Sequence, residues 1–146
     1  MSYPLLLTLH LFAALIFIGT VFFEVLFMAP VHRRLSDEAR KALSQHLAPR
    51  VRAVMPWVLA VLFSAGAGMA WRYREALAHP ADSAFGTLLL LKITLATSVL
   101  VQVIVAMTLM RRKRLSGVVR DRIHKSVFCH MVGIVVLAKA LFYFSW

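Results

Sequence analysis

From Tyr3 to His32 the chain reads YPLLLTLHLFAALIFIGTVFFEVLFMAPVH. Between Pro4 and Met28 only Thr8, His10, Thr20 and Glu24 interrupt an otherwise apolar run. At about 1.5 Å of rise per residue, this stretch makes a helix of roughly 37 Å, long enough to cross a bilayer with some tilt. It carries two ionisable side chains where solvation is poor. His10 and Glu24 are fourteen positions apart, which leaves them about 40° apart around a helix, on one face with Ala14, Phe17 and Val21. An ionisable residue inside a membrane span points first to function.

The rest of the chain fits the same environment. A hydrophobic content of 61% and a mean hydropathy of +0.79 exclude an ordinary soluble domain. The net charge of +11 does not indicate nucleic acid, because the cations sit in two blocks between apolar spans, as in integral membrane proteins. The single cysteine, Cys129, excludes a disulfide framework and a paired-cysteine metal site. The first span lacks a basic leader and a small-residue cleavage site, so it is expected to be retained.

Four spans are expected within one domain covering residues 1–146, at about 4–28, 54–71, 85–110 and 123–143. Pro30 should end the first. The polar segment 31–52 should form a short helix capped by Ser36, either along the membrane surface or as an extension of the second span. Pro56 suits the first turn of span 2, and Trp57 and Trp71 suit its two interfaces. The run Ser64-Ala65-Gly66-Ala67-Gly68 allows close approach of a backbone or a flat ligand. Asp82 or Ser83 should cap span 3, Arg111-Arg112-Lys113-Arg114 should stop it, and Trp146 closes the chain.

Linker 1–2 carries six Lys and Arg residues, linker 3–4 carries seven, and linker 2–3 carries two. The positive-inside rule then puts both termini outside. Short linkers favour an all-α, antiparallel four-helix bundle. The basic linkers also suit contact with anionic head groups. The expected location is a bacterial inner membrane, with the lipid bilayer as partner and no nucleic acid.

This topology sets depth. His10, Met69, Lys92 and Lys139 fall in an outer layer, Glu24 and His130 in an inner one roughly 15 Å away. Axial ligands of one iron stand about 4 Å apart, so His10 and His130 of one chain are not expected to share a haem. His10 suits an axial ligand of a b-type haem or a neutral hydrogen-bonded histidine. Lys92 suits a ligand, a propionate partner or a snorkelling interfacial cation. Met69 suits a second axial ligand or packing. His130, beside Cys129, suits copper, a second haem or a helix contact. Glu24 can be protonated, relay protons or pair at the cytoplasmic rim with Arg33 or Arg52, and the pair is favoured. Lys139 lies about 180° from His130 around span 4, so at least one of them is peripheral.

Leu9-His10, Gly19, Pro30 and Arg33-Arg34 in the first span, with Leu88–Leu91 leading into Lys92 in the third, resemble the small four-helix membrane proteins grouped with the CopD-type copper-resistance proteins. The HemJ-type protoporphyrinogen IX oxidases belong to the same broad group. Residues 14–19 lack the tryptophan that the HemJ group carries in mid-span. The resemblance implies a b-type haem within the bundle, with His10 as a ligand candidate and Lys92 as a second site residue. On that basis Gly66 and Gly68 would make room for the macrocycle, and Lys92 or Arg72 would ligate or meet a propionate. The function expected is redox or electron transfer, or HemJ-like oxidation of a tetrapyrrole substrate. The alternatives are copper handling through His10, Met69, Cys129 and His130, and a structural or assembly subunit. A homodimer is an open arrangement, because four short spans offer little area to enclose a large ligand.

Overall fold

The computed structural model describes residues 2–112 and 114–143, with Phe142 as backbone only. Lys113 and Trp146, two positions named above, lie outside the described residues. Helix makes up 91% of the structure and no strand forms among the described residues, so the class is all-α. Four helical stretches are long and apolar enough to cross a membrane: Tyr3–His32, Asp37–Arg72, Ala84–Arg111 and Gly117–Leu141. The chain is an integral membrane protein by this measure. Its packing agrees: large side chains such as Leu15 and Phe12 are 69% and 63% exposed, while Ala13, Ala65, Ala84 and Val99 are buried. Helices in lipid gain most from close backbone approach at small residues, since lipid chains solvate leucine and phenylalanine as well as protein does.

The chain divides into two compact units, Met1–Arg72 and Tyr73–Trp146. In the first, α1 (Tyr3–Phe23) packs on α3 (Asp37–Arg72). Tyr3 meets Arg72, Leu6 meets Gly68 and His10 meets Gly66. Numbers rise on one helix as they fall on the other, so this pair runs in opposite directions. Ala13 and Phe17 are buried on α1, as are Val58, Leu59, Leu62 and Ala65 on α3.

Pro30 does not end the first span, contrary to expectation. After α1 comes a π-helical turn, Glu24–Met28, and then α2, Ala29–His32. The Ala29 N–H bonds the Glu24 carbonyl, five residues back. Pro30 has no N–H, and its ring would crowd the carbonyl four residues back in a regular α-helix. The extra residue of the π turn shifts the backbone register just upstream, and the helix passes through the proline.

The second span is also longer than 54–71. Helix α3 is continuous over 36 residues, about 54 Å, and the basic segment after Ser36 forms its first half. Ser36 caps it as expected, its Oγ accepting from the Ala39 N–H at 3.3 Å. Pro56 lies well inside this helix, as does Pro49, so each leaves one backbone carbonyl of the preceding turn without its usual donor. Trp57 and Trp71 are both largely exposed.

In the second unit the connection from Tyr73 is built, not loose. Helix α4 (Arg74–Ala78) and a 3-10 turn (Pro80–Asp82) lead to α5 (Ala84–Arg111). Ser83 is the cap, its Oγ accepting from the Gly86 N–H at 3.0 Å. The Thr87 hydroxyl donates to the Pro80 carbonyl at 2.7 Å, and the Tyr73 and Phe85 rings meet at a tilt of 55° with centroids 5.1 Å apart. A Cβ on Gly86 would stand 2.8 Å from the Ala76 carbonyl oxygen and 3.1 Å from Pro80. Only glycine lets the connection lie this close to α5. Helix α6 (Gly117–Tyr143) packs on α5 in the opposite direction, with Leu95 against Gly133 and Ser98 against His130.

Candidate functional site

His10 projects from α1 onto α3 and is half-buried. Its Nδ1 lies 2.9 Å from the Leu62 carbonyl oxygen. A carbonyl only accepts, so Nδ1 carries the proton, and the neutral form of this ring has its lone pair at Nε2. Histidines that ligate metals are oriented in this way: one nitrogen bonds a carbonyl or carboxylate and the other faces the metal. The ring lies against Gly66, with Cε1 and Nδ1 3.2 and 3.3 Å from where a Cβ would stand. Leu6 lies equally close to Gly68, its Cδ1 3.2 Å from the corresponding point. The clearance opposite Gly66 and Gly68 is therefore taken by side chains of α1, not by open space.

Two more expected site residues belong to this unit. Met69 falls at helical spacing after Leu62 and Gly66, on the side of α3 that meets α1. Arg72 holds its guanidinium carbon 5.7 Å from the centre of the Tyr3 ring, a cation–π contact that ties the ends of α1 and α3 together.

Glu24 begins the π turn and is half-buried. The favoured rim pair is not formed. Arg33 Nε donates to the Ala29 carbonyl and Arg52 Nε to the Ala48 carbonyl, and Glu24 has no ion pair among the described residues. Each arginine is held by its own helix, four residues back, at lower conformational cost than a reach between helices. Beyond Glu24, Nε2 of His32 is buried without a hydrogen-bond partner.

In the second unit His130 has both ring nitrogens engaged. Nδ1 donates to the Ser126 carbonyl at 2.8 Å. Nε2 lies 3.2 Å from Ser98 Oγ, which also accepts from the Gln102 amide at 3.3 Å. The Ser98 proton therefore goes to Nε2, and His130 clasps α6 to α5. A metal at this nitrogen would have to displace Ser98. The sequence carries a local signal for this network. Ser98 and Gln102, and Ser126 and His130, are both polar pairs four residues apart in apolar spans. Lys92 is half-buried on α5 and makes no hydrogen bond or ion pair among the described residues. Lys139 is the peripheral member of the pair on α6: it is exposed, with its ammonium 5.7 Å from the Tyr143 ring centre. Cys129 is a free, exposed thiol.

Among the described residues no three His, Cys, Asp or Glu side chains converge on a point that would hold a metal ion. The site defines a membrane helix pair with one preset histidine. No family model, characterised protein or solved structure matches this chain.

Proposed function

We propose that this chain is a b-type haem protein of the bacterial inner membrane, built as an antiparallel four-helix bundle with both termini outside. Its role is redox, either electron transfer or, in its most specific form, HemJ-like oxidation of a tetrapyrrole. One observation carries the proposal: the His10 Nδ1–H bond to the Leu62 carbonyl presets the ring for ligation through Nε2.

Bound haem supplies a one-electron couple whose potential depends on its ligands and on burial. The protein's part is to hold and tune. Leu62 fixes the His10 tautomer and raises the basicity of Nε2. Gly66 lets the ring lie against the α3 backbone. Met69 is the candidate for a second soft ligand, and Arg72 for a propionate partner that would exchange its Tyr3 contact for an ion pair. The outward leucines and phenylalanines keep water away and lower the local dielectric.

Copper handling draws less support, since Cys129 is exposed and both His130 nitrogens are engaged. The deciding experiment is the absorption spectrum of detergent-purified protein, oxidised and dithionite-reduced, with a pyridine haemochrome assay. A Soret band and a b-type α-band are expected, with His10→Ala losing them while remaining helical. A colourless protein after expression with ample haem, or an unchanged spectrum in His10→Ala, would overturn the proposal.

A further inference from the structure

The π turn of the first unit sets the relation between two ionisable side chains that the haem proposal does not use. Glu24 opens the turn, and His32 ends α2 eight positions later. In a regular α-helix that separation leaves two side chains about 80° apart. A π turn takes up one extra residue. The pair then stands as residues one position closer would, within about 20° of one face and roughly 10 Å apart along the axis. The turn that carries the helix through Pro30 therefore also aligns Glu24 with His32.

Both groups are unsatisfied. The Nε2 of His32 is the one side-chain nitrogen or oxygen among the described residues that is buried with no hydrogen-bond partner. His32 as a whole is only half-buried, beside the exposed Arg33 and Arg34. The ring thus has an enclosed nitrogen and an edge that reaches the surface. Glu24 is half-buried and makes no hydrogen bond or ion pair among the described residues. A buried orphan of this kind costs free energy unless water or a ligand reaches it. Helix α3 is the element of the first unit that packs on α1. The charged and titratable groups of its first half are Asp37, Glu38, Arg40, Lys41, His46, Arg50 and Arg52, and every one is exposed. None of them pairs with Glu24 or His32 among the described residues.

We propose that His32 and Glu24 form a proton relay between water at the Arg33-Arg34 end of the span and the apolar interior of the span. An imidazole can take up a proton at one nitrogen and release one from the other. His32 accepts a proton at its open edge. The imidazolium then gives up its Nε2 proton inward, and water molecules carry it across the remaining gap to the Glu24 carboxylate. The products are neutral His32 and the Glu24 carboxylic acid, so one proton moves and charge is conserved. Two opposite charges become two neutral groups, which suits a poorly solvated site. The π turn has a function here, because without it the two side chains would not share a face.

Time-resolved infrared difference spectroscopy of the full chain, after light-triggered release of protons into the buffer, tests this. The carboxylic-acid band that is missing in Glu24→Gln belongs to Glu24. In the unaltered chain this band should rise as the buffer acidifies. His32→Ala should slow its rise at least about 10-fold and leave its final amplitude unchanged, and added imidazole should restore the rate. His46→Ala, which removes an exposed histidine of α3, should leave the rate as it was. The relay is overturned by an unchanged rate in His32→Ala, by equal slowing in both variants, by slowing that imidazole does not relieve, or by the absence of a Glu24 band at every pH at which the chain stays folded. Circular dichroism of each variant confirms that it is folded. The band is read without haem, so the relay and the haem proposal stand or fall separately.

Discussion

His10 and Gly66 fit each other across the first helix pair. The imidazole Cε1 and Nδ1 stand 3.2 and 3.3 Å from the point a Gly66 Cβ would occupy. A side chain on α1 is thus oriented by what α3 lacks, while the Leu62 carbonyl one turn away fixes the ring's proton.

Two glycine substitutions measure how tightly this fit is held. Gly19 is exposed on α1, and a Cβ there meets nothing within 4 Å. Gly19→Ala should gain most of the helix-propensity difference, up to about 1 kcal/mol. Gly66→Ala gains the same propensity but must push the His10 ring away by a few tenths of an ångström, so it should be less stable than Gly19→Ala. In haem-loaded protein it should shift the Soret band, where Gly19→Ala should not. Thermal melts in detergent and absorption spectra check both; equal behaviour of the two would mean that the ring yields freely.

Gly86→Ala should be clearly destabilising, by about 1–3 kcal/mol, because the new methyl would meet backbone atoms of Ala76 and Pro80 and not a flexible side chain. Ser83→Ala should cost about 1 kcal/mol through loss of the cap on the Gly86 N–H. The two contacts share the Gly86 backbone, so their effects should not add. Thermal unfolding of the single and double variants checks this.

Ser98 and His130 should show a measurable coupling. Interhelical hydrogen bonds in membranes average about 0.6 kcal/mol and reach about 1.7 kcal/mol in double-mutant cycles. A cycle of Ser98→Ala and His130→Ala should fall in that range, and zero coupling would mean that the 3.2 Å contact contributes no stability. Under the proposed ligation of haem by His10, His130→Ala should keep the haem spectrum.

Pro30→Ala restores an N–H and removes the ring that crowds the previous turn. The segment 24–32 should then tighten towards a regular α-helix. Hydrogen exchange followed by mass spectrometry should show slower exchange in peptides covering it. Unchanged exchange would mean that something other than Pro30 holds the π turn at Glu24–Met28.

Much of this protein was legible without coordinates. Four spans, the Ser36 cap and a cap at Asp82 or Ser83 follow from hydropathy and local chemistry, because these act within a few residues of one chain segment. His10 was identifiable as well, since an ionisable group in an apolar run is conspicuous. Span limits were less so. Local chemistry makes Pro30 a helix end and suits Pro56 to a first turn, yet the chain passes the first through a π turn and α3 carries the second well inside. A proline's cost decides a helix end only when nothing else compensates it.

What only the tertiary structure decided is which group meets which across helices. Leu62 is one apolar residue among many, and nothing in its side chain marks the carbonyl that orients His10. The glycines of α3 suggested room for a flat ligand, whereas in the first unit that room is taken by His10 and Leu6. Glu24 was expected to pair with an arginine, but Arg33 and Arg52 bond to their own helices instead. His130 is matched to Ser98, thirty-two residues away. Periodicity places a residue on a face of its helix. The register and spacing of two packed helices determine its partner, and they arise from the summed fit of many small contacts that no single stretch of sequence contains.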